Sequence, residues 1–159
     1  RSIRRTVFPR STTEMPTPKQ DCELLIREML PFAKRMLSDH GEFYPYGGMM
    51  RADREIVHVG AQEAGNDHPP SQPLIQTLQD YFCDQARSGG IVASCIIFDV
   101  LVKKPGGDQK RDAIQVNLDH RDDYSVEVVF PYQLGQNSIS LEEPFALPGN
   151  AQIFTKTLA

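Results

Sequence analysis

The feature that most constrains this chain is a strict two-residue alternation in its second half. Over 112–120, Ile114, Val116 and Leu118 share one side of an extended chain, and Gln115, Asn117 and Asp119 share the other. Tyr124, Val126, Val128 and Phe130 repeat the pattern against Ser125 and Glu127. Successive side chains of a strand point to opposite faces, so this pattern suits strands with one face in a core. Arg121, Asp122 and Asp123 lie between the two segments as a turn, which predicts an antiparallel meander. Residues 91–103 precede it, joined through Lys104, Pro105, Gly106, Gly107 and Asp108. That stretch is β-branched and largely apolar on both faces, which predicts a central strand covered on both sides.

Two segments change to helical spacing. Thr17, Pro18 and Gln20 are a cap, a first-turn proline and the acceptor of a capping box. Leu25, Met29, Phe32, Ala33, Met36 and Leu37 then recur at helical intervals until Gly41, with Pro31 expected to kink the run. A second helix starts near Ser71 and Pro73, presents Leu74, Leu78, Phe82 and Ala86, and stops at Gly89 and Gly90. Between them, 48–51 and 55–59 read as short strands around a tight turn at Asp53 and Arg54, followed by a loop over 60–72. After Pro131 the chain reads as loop, with a short strand near 152–155.

The expected fold class is therefore α+β. It has two main helices and an antiparallel sheet of about five strands, in the order helix, strand, strand, helix, strand, strand, strand. Residues 1–16 read as a flexible basic arm and 17–159 as a single globular domain. A chain of 159 residues, 40% hydrophobic, is long enough for one core without disulfide staples. The longest apolar run, 91–102, is broken by Ser94 and Asp99 and falls short of the roughly 18 residues a membrane span needs.

Net charge is −4, yet Arg1, Arg4, Arg5 and Arg10 all precede the first acid, Glu14. The body is acidic, which argues against nucleic acid as a partner. Cys22, Cys83 and Cys95 are odd in number and lack CxxC spacing, so a reducing cytoplasm with at least one free thiol is expected.

Reactive constellations are sparse. His58, Asp67, His68, Asp119 and His120 are the only candidate ligand set, with no HExxH or HxH spacing, so no metal is expected. No GxSxG elbow is present. Gly47-Gly48 enters a strand and Gly106-Gly107 a turn, so neither forms a phosphate loop, and no cofactor is expected. Asp99 interrupts an apolar strand; it is expected to be exposed near the strand end or paired, with a proton-transfer role as the alternative. An enzyme built on this chain would use Asp99, or Asp119 with His120, as acid and base.

The helix order resembles the profilin-like class, including roadblock domains, over about 17–132. Gly41, Glu42, Phe43, Tyr44, Pro45, Tyr46, Gly47 and Gly48, with Phe130, Pro131 and Tyr132, also resemble a family of uncharacterised bacterial proteins. That resemblance implies a soluble bacterial domain. The profilin-like resemblance implies that the first and last main strands are neighbours, which would bring Tyr44 and Tyr46 beside Tyr132. Aromatic residues with polar tips suit interfaces and pockets. Two functions follow as expectations. One is a non-catalytic protein-interaction or assembly module, self-association included. The other is a small-molecule sensor with a pocket between helix and sheet, using Tyr44, Tyr46, Asp99, His120 and Tyr132. No membrane role is expected.

Overall fold

Thr17 caps the first helix, α1 (Pro18–His40), through a complete capping box. Its hydroxyl accepts from Gln20 N at 3.1 Å, and its own N–H donates to Gln20 Oε1 at 2.9 Å. Gly41 ends the helix in the left-handed region at φ 75°, donating to Leu37 O. The second helix, α2 (Ser71–Arg87), buries Leu74, Ile75, Leu78 and Phe82. The structure is a computed structural model and describes residues 2–8, 16–62, 71–103 and 105–154.

The strands are β1 (Ser2–Phe8), β2 (Tyr46–Arg51), β3 (Ile56–Gln62), β4 (Ile91–Lys103), β5 (Lys110–His120), β6 (Tyr124–Gly135), β7 (Ser138–Leu141) and β8 (Phe145–Pro148). They form one antiparallel sheet in the order β1-β3-β2-β4-β5-β6-β7, with β8 also on β6. This corrects the sequence expectation of about five strands in a profilin-like order. One additional strand precedes α1 and two follow the meander. The reason lies in the elements themselves. β1, part of the segment read as a basic arm, pairs through its backbone with β3 while Arg4, Arg5, Thr6 and Val7 stay exposed, so it lacks an apolar rhythm. β7 and β8 have four residues each, too few to register an alternation. They act as one edge strand along β6, shifted by a one-residue bulge between them. Glu142 fixes that bulge, donating its N–H to Pro131 O and accepting Arg111.

The helices lie on opposite faces. Cys22, Leu25, Met29, Ala33 and Leu37 of α1 meet Met50, Cys95, Ile97, Ile114, Val116 and Leu118. Ile75, Leu78 and Phe82 of α2 meet Met49, Val57, Val59 and Ile96. Met49 and Met50, adjacent in β2, thus enter different cores. The expected face of Ile114, Val116 and Leu118 is fully buried. β4 is covered on both sides only over its first seven residues; from Phe98 it leaves α1 and α2 and alternates with solvent. The strand expected near 152–155 is not formed over 152–154; instead Ile153 plugs the α2 core, and Thr155 lies outside the described residues.

Gly47 and Gly48 make the two-sided packing possible. A Cβ on Gly47 would stand 2.7 Å from Phe82 Cε2 of α2 and 2.6 Å from Cys95 O. A Cβ on Gly48 would stand 2.5 Å from Met29 Sδ of α1. Each helix therefore seats a large side chain on bare backbone of the same strand, from opposite sides.

Candidate functional site

Beyond Met29, α1 parts from the β1–β3–β2 end of the sheet and leaves a half-open groove of about 520 Å3. Phe32, Arg35 and Glu28 of α1 form one wall. Arg4 and Thr6 of β1 form the other, Tyr44 stands at the end, and His58 of β3 and Tyr46 of β2 lie between. β1 supplies a wall because Thr6 stands opposite His58 and Arg4 opposite Gly60 in the ladder.

The floor is aromatic. Tyr46 and His58 stack with centroids 5.1 Å apart and planes 10° off parallel. Phe32 meets both edge-on, at 4.9 Å and 5.1 Å. Arg35 lies over the Phe32 ring at 5.5 Å, a cation–π contact that holds its guanidinium along the wall. Neither Arg4 nor Arg35 is in an ion pair among the described residues. His58 likewise has no hydrogen-bond partner among them. Burial pushes its imidazole below the ordinary histidine range, and the positive charge of Arg4 pushes the same way.

Tyr46 belongs to the floor for a structural reason. Its hydroxyl donates to Met29 O at 2.5 Å and accepts from Ala33 N at 3.1 Å. These are the two backbone groups an undisturbed helix would join to each other. Pro31, between them, has no N–H to give to Arg27 O and its ring crowds that carbonyl, which weakens this turn of the helix. α1 continues through Pro31, and the phenol bridges these two backbone groups. Burial raises the Tyr46 pKa well above the usual phenol range, so the hydroxyl keeps the proton it donates.

The five residues singled out from sequence fall into three places. Tyr44 and Tyr46 share the groove. Asp99 lies exposed where β4 leaves the core, and accepts from the Tyr132 hydroxyl at 2.9 Å. Partial desolvation of the carboxyl beside Tyr132 raises the Asp99 pKa, opposed by that hydrogen bond. The expected neighbourhood of Tyr44, Tyr46 and Tyr132 is corrected by the strand order. β4 and β5 stand between β2 and β6, so Tyr46 aligns across the sheet with Val128 instead.

His120 is elsewhere again, 3% exposed at the end of β5. Its Nδ1 accepts from Asp122 N at 3.0 Å, which leaves Nε2 to donate to Asp21 Oδ2 at 2.8 Å. The other carboxylate oxygen of Asp21 accepts Arg54. Arg54 comes from the β2–β3 hairpin, whose turn spans three residues, 52–54, rather than the tight pair expected. Arg54 takes a left-handed φ of 73° to end it. Asp21, Arg54 and His120 thus tie α1 to two hairpins. Asp21 and His120 are buried and Arg54 is part-buried, and the arrangement reads as a brace rather than a reaction centre.

The cysteines are unpaired. Burial pushes Cys22 and Cys95 up to about 12, so both are protonated thiols. Among the described residues no cluster of three or more His, Cys, Asp or Glu side chains is placed to hold a metal ion, and no helix is long and apolar enough to cross a membrane. Asp67 and His68 lie outside those residues. Comparison with protein-family models, curated proteins and solved structures finds no match.

Sequence reading alone missed Arg4, Glu28, Phe32 and Arg35 as groove residues. Arg4 falls in the segment that reads as a basic arm, and Phe32 has the spacing of one more core position of α1. From sequence, His58 reads as a surface or satisfied polar histidine, with a metal ligand as the alternative. The one local signal was Pro31 inside a helical run, which marks where the helix needs outside support.

Proposed function

We propose that this protein is a non-catalytic binding domain, and that the groove between α1 and β1–β3–β2 is its small-molecule site. The observation that carries the reading is the floor of Phe32, Tyr46 and His58 rings inside a groove of about 520 Å3 rimmed by polar groups. Small-molecule sites are concave, of roughly 300–1,000 Å3, with an apolar lining and a few polar groups. His58 has no bonded carboxylate or hydroxyl to make it a relay among the described residues, which supports binding over catalysis. Three free cysteines suit a reducing compartment such as the cytoplasm. The test is a fragment titration followed by amide and histidine-ring NMR. Shifts should concentrate at Phe32, Tyr44, His58 and Ala61. Shifts concentrated along β6 and β8 instead would remove the assignment.

A protein-interaction role is the second reading, favoured by β1. Among the described residues it pairs only with β3, and it carries Val7 at 56% exposure on the sheet edge. Light scattering over a dilution series should then show association that Val7→Lys weakens. A monomer at every concentration would count against self-association.

A further inference from the structure

We infer that the groove's ligand is an organic anion: a carboxylate or phosphate carried on an apolar, ring-sized body. The inference rests on the groove being the binding site and adds the charge and shape of what enters it. Charge comes first. In a chain with an acidic excess, Arg4 of β1 and Arg35 of α1 line one groove from opposite sides, and Glu28 is its one lining carboxylate among the described residues. Neither guanidinium is neutralised by an ion pair among the described residues. Two cations converging on a half-enclosed space make a favourable field for an anion, and guanidinium forks match carboxylate and phosphate oxygens.

Position comes next. Arg35 is held against Phe32 rather than left free in water, so less side-chain freedom is lost when it engages a ligand. Arg4 is fixed by the β1–β3 ladder near His58, and its charge acts on that imidazole. His58 has ring nitrogens without a hydrogen-bond partner among the described residues, so it can add a hydrogen bond to the same anion. The body of the ligand meets the half-buried Phe32 and His58 rings, backed by the buried Tyr46 ring stacked on His58.

The experiment compares benzoate and phenyl phosphate with benzyl alcohol, benzylamine and inorganic phosphate. Each is titrated into the whole chain while His58 ring and Phe32 amide signals are followed. Benzoate or phenyl phosphate should bind at these residues, and benzyl alcohol at least fivefold more weakly. Benzylamine and inorganic phosphate should be weaker still, the first lacking the charge and the second the body. Arg4→Gln and Arg35→Gln, both at exposed positions, should each weaken the anions about three- to fivefold and leave benzyl alcohol unchanged. If benzyl alcohol or benzylamine binds at the groove as tightly as the anions, the charge assignment is overturned while the groove stands. If none of the probes moves these signals, the groove itself is not the site, and the assignment falls with it.

Discussion

Replacing Gly47 with Ala tests whether β2 is bare because two helices need it to be. The new Cβ would lie 2.6 Å from Cys95 O, 2.7 Å from Phe82 Cε2 and 2.8 Å from Phe82 Cζ. Carbon atoms rest at about 3.5–4.0 Å, so the Phe82 ring must retreat by most of an ångström. Phe82 is fully buried, and the Cys95 carbonyl belongs to the neighbouring strand. Neither has an easy escape, which places the cost near the upper end of the 1–3 kcal/mol typical of overpacking. Alanine returns roughly 0.5–1 kcal/mol by restricting the unfolded chain. The net loss is about 2 kcal/mol. Gly48→Ala is the internal control. Its Cβ meets Met29 Sδ at 2.5 Å and Met29 Cγ at 2.8 Å, but a methionine side chain has torsions with which to move aside. That cost falls near the lower end and is almost cancelled, leaving a change of about 0.5 kcal/mol or less. Urea unfolding of both variants, compared at constant m, measures the two numbers. A neutral Gly47→Ala, or a Gly48→Ala that is the more damaging of the two, would refute the account of how α1 and α2 share β2.

Tyr46→Phe keeps the ring stack and deletes the hydroxyl that bridges Met29 O and Ala33 N. At about 0.5–1.5 kcal/mol per hydrogen bond, the loss should be about 1–3 kcal/mol, with faster amide exchange at Ala33. Unchanged stability and exchange would show that α1 closes the gap unaided. Asp21→Ala removes the acceptor shared by His120 and Arg54, and should cost about 3 kcal/mol in urea unfolding. A loss under 1 kcal/mol would mean that the brace is incidental. His58 gives a pH dependence of known sign. Its folded pKa is below the unfolded value of about 6.5, so near that pH and just below it the unfolded chain binds more protons than the folded one. Stability is therefore fully present above that value and declines as the pH falls. Among the described residues, Arg4, Glu28 and Arg35 are the charged groups that line the groove with the ring, with Tyr44 and Tyr46 beside it. His58→Gln should flatten the urea midpoint between pH 7 and pH 5, and Arg4→Gln should flatten it in part. A profile as steep as that of the unaltered chain would remove His58 as its source.

Much of the architecture was legible locally, because the governing physics is local. Thr17, Gln20 and Gly41 mark the ends of α1 through hydrogen bonds that reach only three or four residues. Ile114, Val116 and Leu118 declare a buried strand face because the strand period is fixed by covalent geometry. What the tertiary structure alone decided is whatever depends on which distant segments meet. β1 is a strand only because β3 offers it a backbone ladder, and the β2–β4–β5–β6 order separates Tyr46 from Tyr132. The groove brings Arg4 to Arg35, and the brace brings Asp21 to His120 across 99 positions of chain. No periodicity records such pairings. They are chosen by the joint packing of two helices on opposite faces of one sheet, and that choice is made by the whole chain at once.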